Sequence, residues 1–362
     1  MRFVIPWFVA SLFIAGQGLL NADEATRPPR PVPGDPMTRG RFLKLIDRPR
    51  SPLDPREQPE SHEQNLIEQH FTFNSEAGEV VPGRLVKPVS SHGLCPTVIV
   101  LHGTGGSKDA MRPLLRRLAS RGLTAVAIDA RYSGERLNGE KGADSYRAAI
   151  FETWKSGNKF PFLYDTVWDT LRLIDYLETR RDINPKKIGG IGFSKGGTEL
   201  YLAAATDTRL AAVVPCIGVQ SFGWALSHDA WHSRIGTIQS AVDAAARDAG
   251  VTTLDAKFIR RFYDRVVPGI CDVFDGPAML PAIAPRPLLV INGDRDDRTP
   301  LGGLNLCIES ARAAYVQAGA SDQFECLLQP NTGHAVTPQS ENYAIDWLIQ
   351  KLAPDANSSV HR

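Results

Sequence analysis

The sequence lacks several features that would indicate particular kinds of site. Its five cysteines show no Cys-x-x-Cys spacing, which argues against a redox dithiol or a cysteine-based metal site, and their odd number leaves at least one thiol unpaired. No block of basic residues is present and the formal net charge at pH 7 is +1, so nucleic acid is not an expected partner. No internal repeat is present, and beyond the N-terminus no apolar run is long enough to cross a bilayer. What remains is a chain of 362 residues, long enough for one large α/β domain or two small ones.

The N-terminus is the most hydrophobic part of the chain. It begins MRFVIPWFVASLFIAGQGLLNADEA, with one arginine, an apolar stretch and small residues near Ala22 and Ala25 where a signal peptidase could cut. We therefore predict a signal peptide over residues 1–22 and an exported protein, periplasmic or extracellular, with no stable membrane association after cleavage. The alternative is an uncleaved N-terminal anchor, which Pro6 and the polar cluster at 16–18 would make a weak membrane span.

Residues 23–64 are predicted to form a linker and an N-terminal arm. The proline-rich stretch RPPRPVPGDP predicts extended backbone. The stretch RGRFLKLIDRPRSPLDP follows, and we expect its apolar group to dock on the main domain; that group is Phe42, Leu43, Leu45 and Ile46. The main domain is predicted over residues 65–352, with a C-terminal tail at 353–362.

Strand-like and helix-like stretches alternate through the main domain. EQHFTFNSE and VVPGRLVKP indicate a hairpin, and amphipathic segments then separate apolar runs of the buried type, namely PTVIVLHG, LTAVAIDAR, KKIGGIGF, RLAAVVPCIGV, RPLLVING and FECLLQP. This order predicts an α/β protein with a mostly parallel sheet of about eight strands and helices on both faces. Sheets of this kind carry their chemistry in loops at the carboxyl ends of the strands.

Residues 219–282 interrupt the alternation, because they are much longer than the usual connection between elements. We interpret them as a helical lid inserted above the strand ends. Aromatic and histidine side chains in this segment are candidates for lining the substrate site, and those we select are Trp224, His228 and Trp231. The alternative is a helical excursion that only pads the edge of the sheet.

The stretch KIGGIGFSKGG places Ser194 among glycines where a strand stops and a helix starts. The chain holds 31 glycines, so a chance Gly-x-Ser-x-Gly is not improbable and its partners decide its meaning. A serine there must sit on a very tight turn, which Gly192 and Gly196 allow because a β-carbon at either position would strike the neighbouring strand or helix. The turn would expose the hydroxyl at the positive end of a helix.

Candidate residues to activate the Ser194 hydroxyl lie directly after two strands predicted later in the chain. A serine needs a base, and the base needs an orienting acid. LLVINGDRDDRTP ends one strand in a turn that holds three aspartates, and LLQPNTGHAVTP ends the next at His334. The order Ser, Asp, His along the chain is typical of hydrolases whose nucleophile sits on a strand-to-helix turn. The residues alone do not rank Asp294, Asp296 and Asp297.

The oxyanion of an acyl-transfer intermediate needs hydrogen-bond donors. We predict the backbone N–H groups of Lys195, which follows the serine, and of Thr104, in the glycine-rich turn LHGTGGSKD. The Lys195 ammonium itself is expected to be solvated. His102 lies at the end of the same early strand, and we expect it to tie down its own loop rather than to act as a base.

Together these motifs resemble the α/β-hydrolase superfamily, with LHGTGG as the oxyanion loop, GFSKGG as the nucleophile turn, NGDRDDRTP as the acid turn and GH as the base. DARYSGER and PAIAPRPLLVINGDRDDRTPL are similar to the dienelactone hydrolase, acetyl xylan esterase and prolyl oligopeptidase group, and the likeness covers about residues 65–352. The acid turn of that group reads Gly-x-x-Asp-x-x-x-Pro, which maps onto Gly293, Asp296 and Pro300 and implies Asp296 as the acid. The resemblance implies the α/β-hydrolase fold and a small-molecule or carbohydrate ester as substrate.

We therefore predict an exported serine esterase that forms an acyl-enzyme through Ser194, His334 and Asp296 and needs no cofactor. One alternative is a serine peptidase of the prolyl oligopeptidase type, although nothing before residue 65 would form the propeller of those enzymes. A second is a zinc-dependent hydrolase, because HDAWH places His228 and His232 four apart. A third is a binding protein that keeps the fold without the reaction, although such proteins usually lack a member of the triad.

Overall fold

The computed structural model describes residues 36–91, 93–137 and 142–353. The predicted signal peptide and most of the proline-rich stretch lie outside the described residues, as does the predicted tail after Ala353. Within the described ranges, no helix has the length and apolar character needed to span a membrane.

A ten-stranded sheet is the central element of the described chain. In chain order its strands are β1 Arg56–Glu57, β2 Ser61–Glu63, β3 Leu66–Glu76, β4 Glu79–Pro88, β5 Cys95–Leu101, β6 Thr124–Ile128, β7 Ile183–Phe193, β8 Leu210–Cys216, β9 Leu288–Gly293 and β10 Phe324–Gln329. Across the sheet the order is β1-β3-β4-β6-β5-β7-β8-β9-β10, with β2 paired to β3. The strands from β6 to β10 in this order pair in parallel, whereas β3 and β4 form the predicted antiparallel hairpin. The mostly parallel sheet is confirmed, and β1 and β2 are short additions from the segment predicted as linker and arm.

Helices cover both faces of the sheet. They are α1 Pro36–Ile46, α2 Arg112–Ser120, α3 Gly142–Ser156, α4 Tyr164–Thr179, α5 Lys195–Thr206, α6 Phe222–Ser227, α7 His232–Ile235, α8 Gln239–Asp248, α9 Ala256–Val266, α10 Gly276–Met279, α11 Leu301–Gln317 and α12 Pro338–Leu352. Successive strand residues point to opposite faces, so Val98 packs in the hydrophobic core under α2 and α12, and Ile99 packs in the core under α4, α5 and α11. Burial on both faces explains why these strands are continuous apolar runs.

The N-terminal arm docks on the domain through α1. The Phe42 side chain is fully buried, with its ring 5.0 Å from that of Tyr164 and 5.1 Å from that of Phe274 in edge contacts. Ile46 is buried one turn further along the same helix. The predicted docking is confirmed, and the arm is helical.

The long insertion predicted over residues 219–282 contains the five helices α6 to α10. Helix α9 packs against α3, where the Trp154 ring lies 5.8 Å from Phe258 and 6.0 Å from Phe262. No sequence signal predicted α3. The insertion is therefore supported by a helix that enters from an earlier part of the chain.

All five cysteines are free thiols. Cys95, Cys216 and Cys326 lie on β5, β8 and β10, in agreement with their strand-like sequence context. Burial raises the pKa of the Cys216 thiol well above its ordinary value, which keeps it protonated and unreactive.

Candidate active site

Ser194 occupies the turn between β7 and α5. Its backbone has φ of 54° and ψ of −117°, a conformation that residues with a β-carbon rarely adopt. A β-carbon on Gly192 would lie 2.3 Å from the carbonyl oxygen of Gly196, and one on Gly196 would lie 2.4 Å from that of Leu101. The glycines on each side of Ser194 are thus required by contact with backbone atoms, as the motif predicts.

Two hydrogen bonds connect Ser194 to residues from later strands. The Ser194 Oγ lies 2.8 Å from Nε2 of His334, in the loop after β10. The Nδ1 of the same imidazole lies 2.8 Å from Oδ2 of Asp296, in the loop after β9. Parallel strands deliver their carboxyl ends to one edge of the sheet, and the three side chains meet at that edge.

The Asp296 carboxylate is buried, with 4% of the residue exposed. Its Oδ1 accepts hydrogen bonds from the backbone N–H groups of Arg298 at 2.9 Å and of Thr299 at 3.3 Å. Burial alone would raise the pKa of Asp296, but its hydrogen bonds with His334 and Thr299 outweigh burial and lower it. The carboxylate is therefore ionised and can hold the imidazole with its proton on Nδ1.

The neighbouring aspartates have other environments. Asp294 accepts a hydrogen bond from the backbone N–H of Thr332 at 3.1 Å, and Asp297 is exposed to solvent. Of the three aspartates in this turn, Asp296 is the one that contacts His334 in the described structure. The structure thus brings together the three residues predicted as a triad.

Thr104 and Lys195 line one cavity together with Ser194 and His334. Thr104 lies in the loop after β5, and Lys195 is the first residue of α5. Both residues predicted to supply oxyanion donors therefore border the space above the Ser194 hydroxyl.

His102 anchors the loop that carries Thr104. Its Nε2 accepts a hydrogen bond from the backbone N–H of Ala130 at 3.1 Å, so the ring proton is on Nδ1, which lies 2.8 Å from the Gly103 carbonyl oxygen. Burial, aided by the nearby Lys195 charge, lowers the pKa of His102 to about 4, and the imidazole is neutral. The structural role predicted for His102 is confirmed.

The Lys195 ammonium is buried, so the prediction that it is solvated is wrong. It forms an ion pair with Glu199 one turn along α5 and lies 5.8 Å above the Tyr146 ring. The reason is the position of α5, every residue of which is buried between the sheet and the surrounding helices. Burial raises the pKa of Glu199, and the adjacent ammonium opposes that rise.

The three lid residues predicted from sequence do not line the Ser194 cavity. Trp224 packs over Gly302 and stacks on the exposed His228 ring at 4.4 Å. Trp231 is buried, and its Nε1–H donates to Asp229 at 3.0 Å. The insertion contributes other residues to the cavity, namely Gln220, Phe222, Ser233, Arg234, Gly236 and Thr237.

The two histidines of the HDAWH stretch do not lie on one face of a single helix. Helix α6 ends at Ser227 and α7 begins at His232, with Asp229 at a φ of 53° between them. The exposed His232 ring stacks on Trp231. In the part of the chain that the structure describes, no group of three or more His, Cys, Asp or Glu side chains is placed to hold a metal ion.

Asp275 is a buried residue that sequence reasoning missed. Its carboxylate accepts hydrogen bonds from the Ser221 hydroxyl at 2.6 Å and from the backbone N–H groups of Phe222 at 2.8 Å, Gly223 at 3.0 Å and Gly276 at 2.8 Å. It thus joins the start of α6 to the start of α10. Its sequence context, VFDGP, carries no signal beyond that of a helix N-cap.

The chain is similar to several known proteins. Residues 81–258 match the family model described as Dienelactone hydrolase family. The chain is 26% identical over 307 residues to the Bacillus subtilis protein YtaP, whose name contains the word hydrolase, and the match covers 81% of this chain and 90% of that protein. It is also 26% identical over 205 residues to a 4-O-methyl-glucuronoyl methylesterase of Phanerochaete carnosa, covering 54% of this chain and 47% of the relative, about half its length.

A solved structure extends the likeness to almost the whole described chain. The acetyl xylan esterase from Paenibacillus sp. R4 superposes with a TM-score of 0.63 at 17% identity, covering 90% of this chain and 96% of that one. At this identity the match shows that the two chains share a fold.

Proposed function

Because the chain has the α/β-hydrolase fold and its residues 81–258 match the Dienelactone hydrolase family model, we propose that it is a carboxylic-ester hydrolase in which Ser194, His334 and Asp296 form the catalytic triad. The observation that carries the proposal is the pair of 2.8 Å contacts, from Ser194 Oγ to His334 Nε2 and from His334 Nδ1 to Asp296 Oδ2. A hydroxyl in contact with an imidazole that a buried carboxylate orients is the arrangement that makes serine nucleophilic.

The first half of the reaction forms an acyl-enzyme. His334 Nε2 takes the Ser194 proton as the oxygen attacks the ester carbonyl, and Asp296 stabilises the imidazolium that results. The backbone N–H groups of Lys195 and Thr104 then stabilise the oxyanion of the tetrahedral intermediate, assisted by the N-terminus of α5. The intermediate collapses as the imidazolium donates its proton to the departing alcohol oxygen.

The second half returns the enzyme to its starting state. His334 takes a proton from a water molecule, whose oxygen attacks the acyl carbon and forms a second tetrahedral intermediate. That intermediate collapses when Ser194 Oγ leaves and recovers its proton from His334, which releases the carboxylic acid. No step needs a cofactor.

An ester of a carbohydrate is the substrate class we propose. The support comes from the names of a relative and of a structural neighbour, which are a glucuronoyl methylesterase and an acetyl xylan esterase. Both names describe hydrolysis of esters on sugars, although the two esters differ in which half carries the sugar.

The test compares wild type with Ser194→Ala. Wild type is expected to hydrolyse p-nitrophenyl acetate and to release acetate from acetylated xylan, while Ser194→Ala has no activity above background. A fluorophosphonate probe is expected to label wild type at Ser194, as located by peptide mass spectrometry. Equal hydrolysis by the two proteins would refute the proposal, and faster cleavage of dipeptide amides than of esters would assign the site to a peptidase instead.

We also propose that the protein is exported, on the basis of the apolar N-terminal stretch and the small residues near Ala22. Expression of the full chain with a C-terminal tag should give a mature protein whose N-terminal sequence begins close to residue 23, recovered outside the cytoplasm. Recovery of the intact chain in the membrane fraction would support the anchor alternative.

A further inference from the structure

Arg234 is a buried cation in the wall of the candidate active site. It lies on the short helix α7 of the insertion and lines the same cavity as Ser194 and His334. Only 6% of the residue is exposed. Its backbone is held in place by α9, because the Tyr263 hydroxyl donates to the Arg234 carbonyl oxygen at 2.6 Å.

The hydrogen-bonding capacity of the Arg234 guanidinium is largely unused. Its Nε donates to the Ser233 hydroxyl at 3.0 Å, and the group lies 5.3 Å from the centre of the Phe222 ring. Its Nη2 is buried and has no hydrogen-bond partner among the described residues. An arginine has five N–H donors, so this side chain presents a fork with unfilled positions.

Two other buried arginines of this protein each form an ion pair with an aspartate. Arg131 pairs with Asp169 at 2.8 Å, and Arg172 pairs with Asp175. Over the ranges described above, Arg234 forms no ion pair within 4.0 Å. The carboxylates of Asp275 and Asp296 attract it at longer range, but Asp275 is already occupied by its own four donors, and Asp296 by His334 and two backbone N–H groups.

The remaining charges of the cavity have the same sign. Its lining includes Lys195 and Arg298 but no aspartate or glutamate. Lys195 is neutralised by Glu199, whereas Arg298 is exposed and has no carboxylate partner in the described structure. Burial lowers the pKa of Arg234 to about 10, so the guanidinium still carries its charge at neutral pH. A cavity lined by two cations that form no ion pair in the described structure favours an anionic ligand.

We propose that Arg234 is a specificity residue that binds a carboxylate on the substrate, so that the enzyme prefers esters bearing a free carboxylate in addition to the scissile group. A buried charge without a partner is costly, and an anion that offers two oxygens to the guanidinium fork would remove that cost on binding. This inference rests on the proposed esterase function and narrows its substrate class to acidic esters. The carboxylate can belong to the acyl half or to the alcohol half, and the two halves are tested separately.

The experiment uses matched pairs of esters on the wild-type protein. Mono(4-nitrophenyl) glutarate is compared with 4-nitrophenyl pentanoate for the acyl half, and 4-acetoxybenzoate with 4-acetoxybenzamide for the alcohol half. In at least one pair the acidic ester is expected to have a kcat/KM about 10- to 100-fold higher, mainly through a lower KM. The inference would be overturned if neither acidic ester were hydrolysed with a higher kcat/KM than its neutral partner. Hydrolysis that depends on Ser194 would still support the esterase in that case. Absence of hydrolysis and of fluorophosphonate labelling would instead refute the esterase.

Variants separate binding from folding. Arg234→Met should reduce the ratio of acidic to neutral kcat/KM about tenfold or more, and Arg234→Lys should retain part of it. The control is Arg247→Met, which removes the same charge from an exposed position on α8 of the same insertion and should leave the ratio unchanged.

Thermal unfolding gives a second readout that does not depend on turnover. Arg234→Met should unfold at the same temperature as wild type or higher, because removal of an unpaired buried charge does not cost stability. Glutarate at millimolar concentration should raise the Tm of wild type but not that of Arg234→Met. A large loss of Tm in Arg234→Met, with no effect of glutarate on wild type, would show that the arginine is structural.

Discussion

The imidazole of His102 accepts a hydrogen bond at Nε2 from the backbone N–H of Ala130, across a distance of 3.1 Å. This contact links the end of β5 to the segment that follows β6, and the adjacent Nδ1–H bonds the Gly103 carbonyl. Both bonds require a neutral ring with one defined tautomer. The loop that carries Thr104 is therefore held by a histidine that must not be protonated.

His102 is expected to make stability depend on pH. Its pKa is about 4 in the folded protein, against an ordinary value of 6.5. Between these values the unfolded chain binds more protons than the folded one, so the free energy of unfolding falls as the pH falls from 6.5 to 4 and is unaffected by this group above or below that window. The full difference corresponds to about 3 kcal/mol. Urea unfolding at pH 7.5 and pH 5 should show a larger decrease for wild type than for His102→Asn.

The same substitution at an exposed histidine provides the control for that prediction. His62 lies on the surface strand β2, and His62→Asn should keep the pH dependence of wild type. Equal pH dependence in wild type and His102→Asn would mean that folding does not lower the pKa of His102.

Asp296→Asn should preserve the fold and impair the reaction. The asparagine amide would favour the wrong imidazole tautomer, with the proton on Nε2, and His334 could not then accept the Ser194 proton. We expect kcat for p-nitrophenyl acetate to fall by about 10²- to 10⁴-fold. Asp297→Asn, at the exposed neighbouring position, should behave as wild type. A normal rate in Asp296→Asn would remove Asp296 from the proposed triad.

Gly192→Ala should destabilise the protein strongly. The added methyl group would lie 2.3 Å from the Gly196 carbonyl oxygen, and a backbone atom at the start of α5 cannot yield without moving the whole turn. We expect a loss of about 3 kcal/mol or more in the free energy of unfolding. Gly40→Ala on α1 is the matched control, because its β-carbon meets no atom within 4 Å and should stabilise the helix slightly. Similar Tm values for the two variants would contradict the tight-turn geometry.

The buried pair of Lys195 and Glu199 is expected to be strongly coupled. Glu199→Gln leaves the buried ammonium without a counter-charge and should lower the free energy of unfolding by about 3–5 kcal/mol. The double variant Lys195→Met with Glu199→Leu removes both charges and should recover most of that loss. Chemical unfolding of wild type, Lys195→Met, Glu199→Leu and the double variant gives the coupling energy. Additive effects of the single substitutions would show that the two groups do not interact.

The sequence was most informative where chemistry constrains the backbone. Ser194 is recognisable because a tight turn requires glycine at 192 and 196, and His334 because it follows the strand-like run FECLLQP. The three aspartates of the acid turn are equivalent by composition. Their ranking came from a family spacing, and the structure agrees because only the Asp296 side chain turns inward to the imidazole.

Prediction was poorest where tertiary packing decides the outcome. His228 and His232 are four apart in sequence, but the left-handed backbone at Asp229 breaks the helix between them. Lysine usually reaches solvent, yet Lys195 does not, because α5 is enclosed along its whole length. Arg234 carries no sequence signal at all, since its importance comes from the absence of a carboxylate within reach.

The helices of the insertion bury their apolar side chains in the same core as the main domain, where Phe262 of α9 and Leu200 of α5 belong to one continuous cluster. A segment anchored in this way cannot swing open as a flap without exposing that core. The walls of the Ser194 cavity are therefore fixed, and we expect selectivity to depend on Ser233 and Arg234, the residues of α7 that line it. Substitutions at those positions could change the substrate preference without altering the Ser194 site or the folding of the chain.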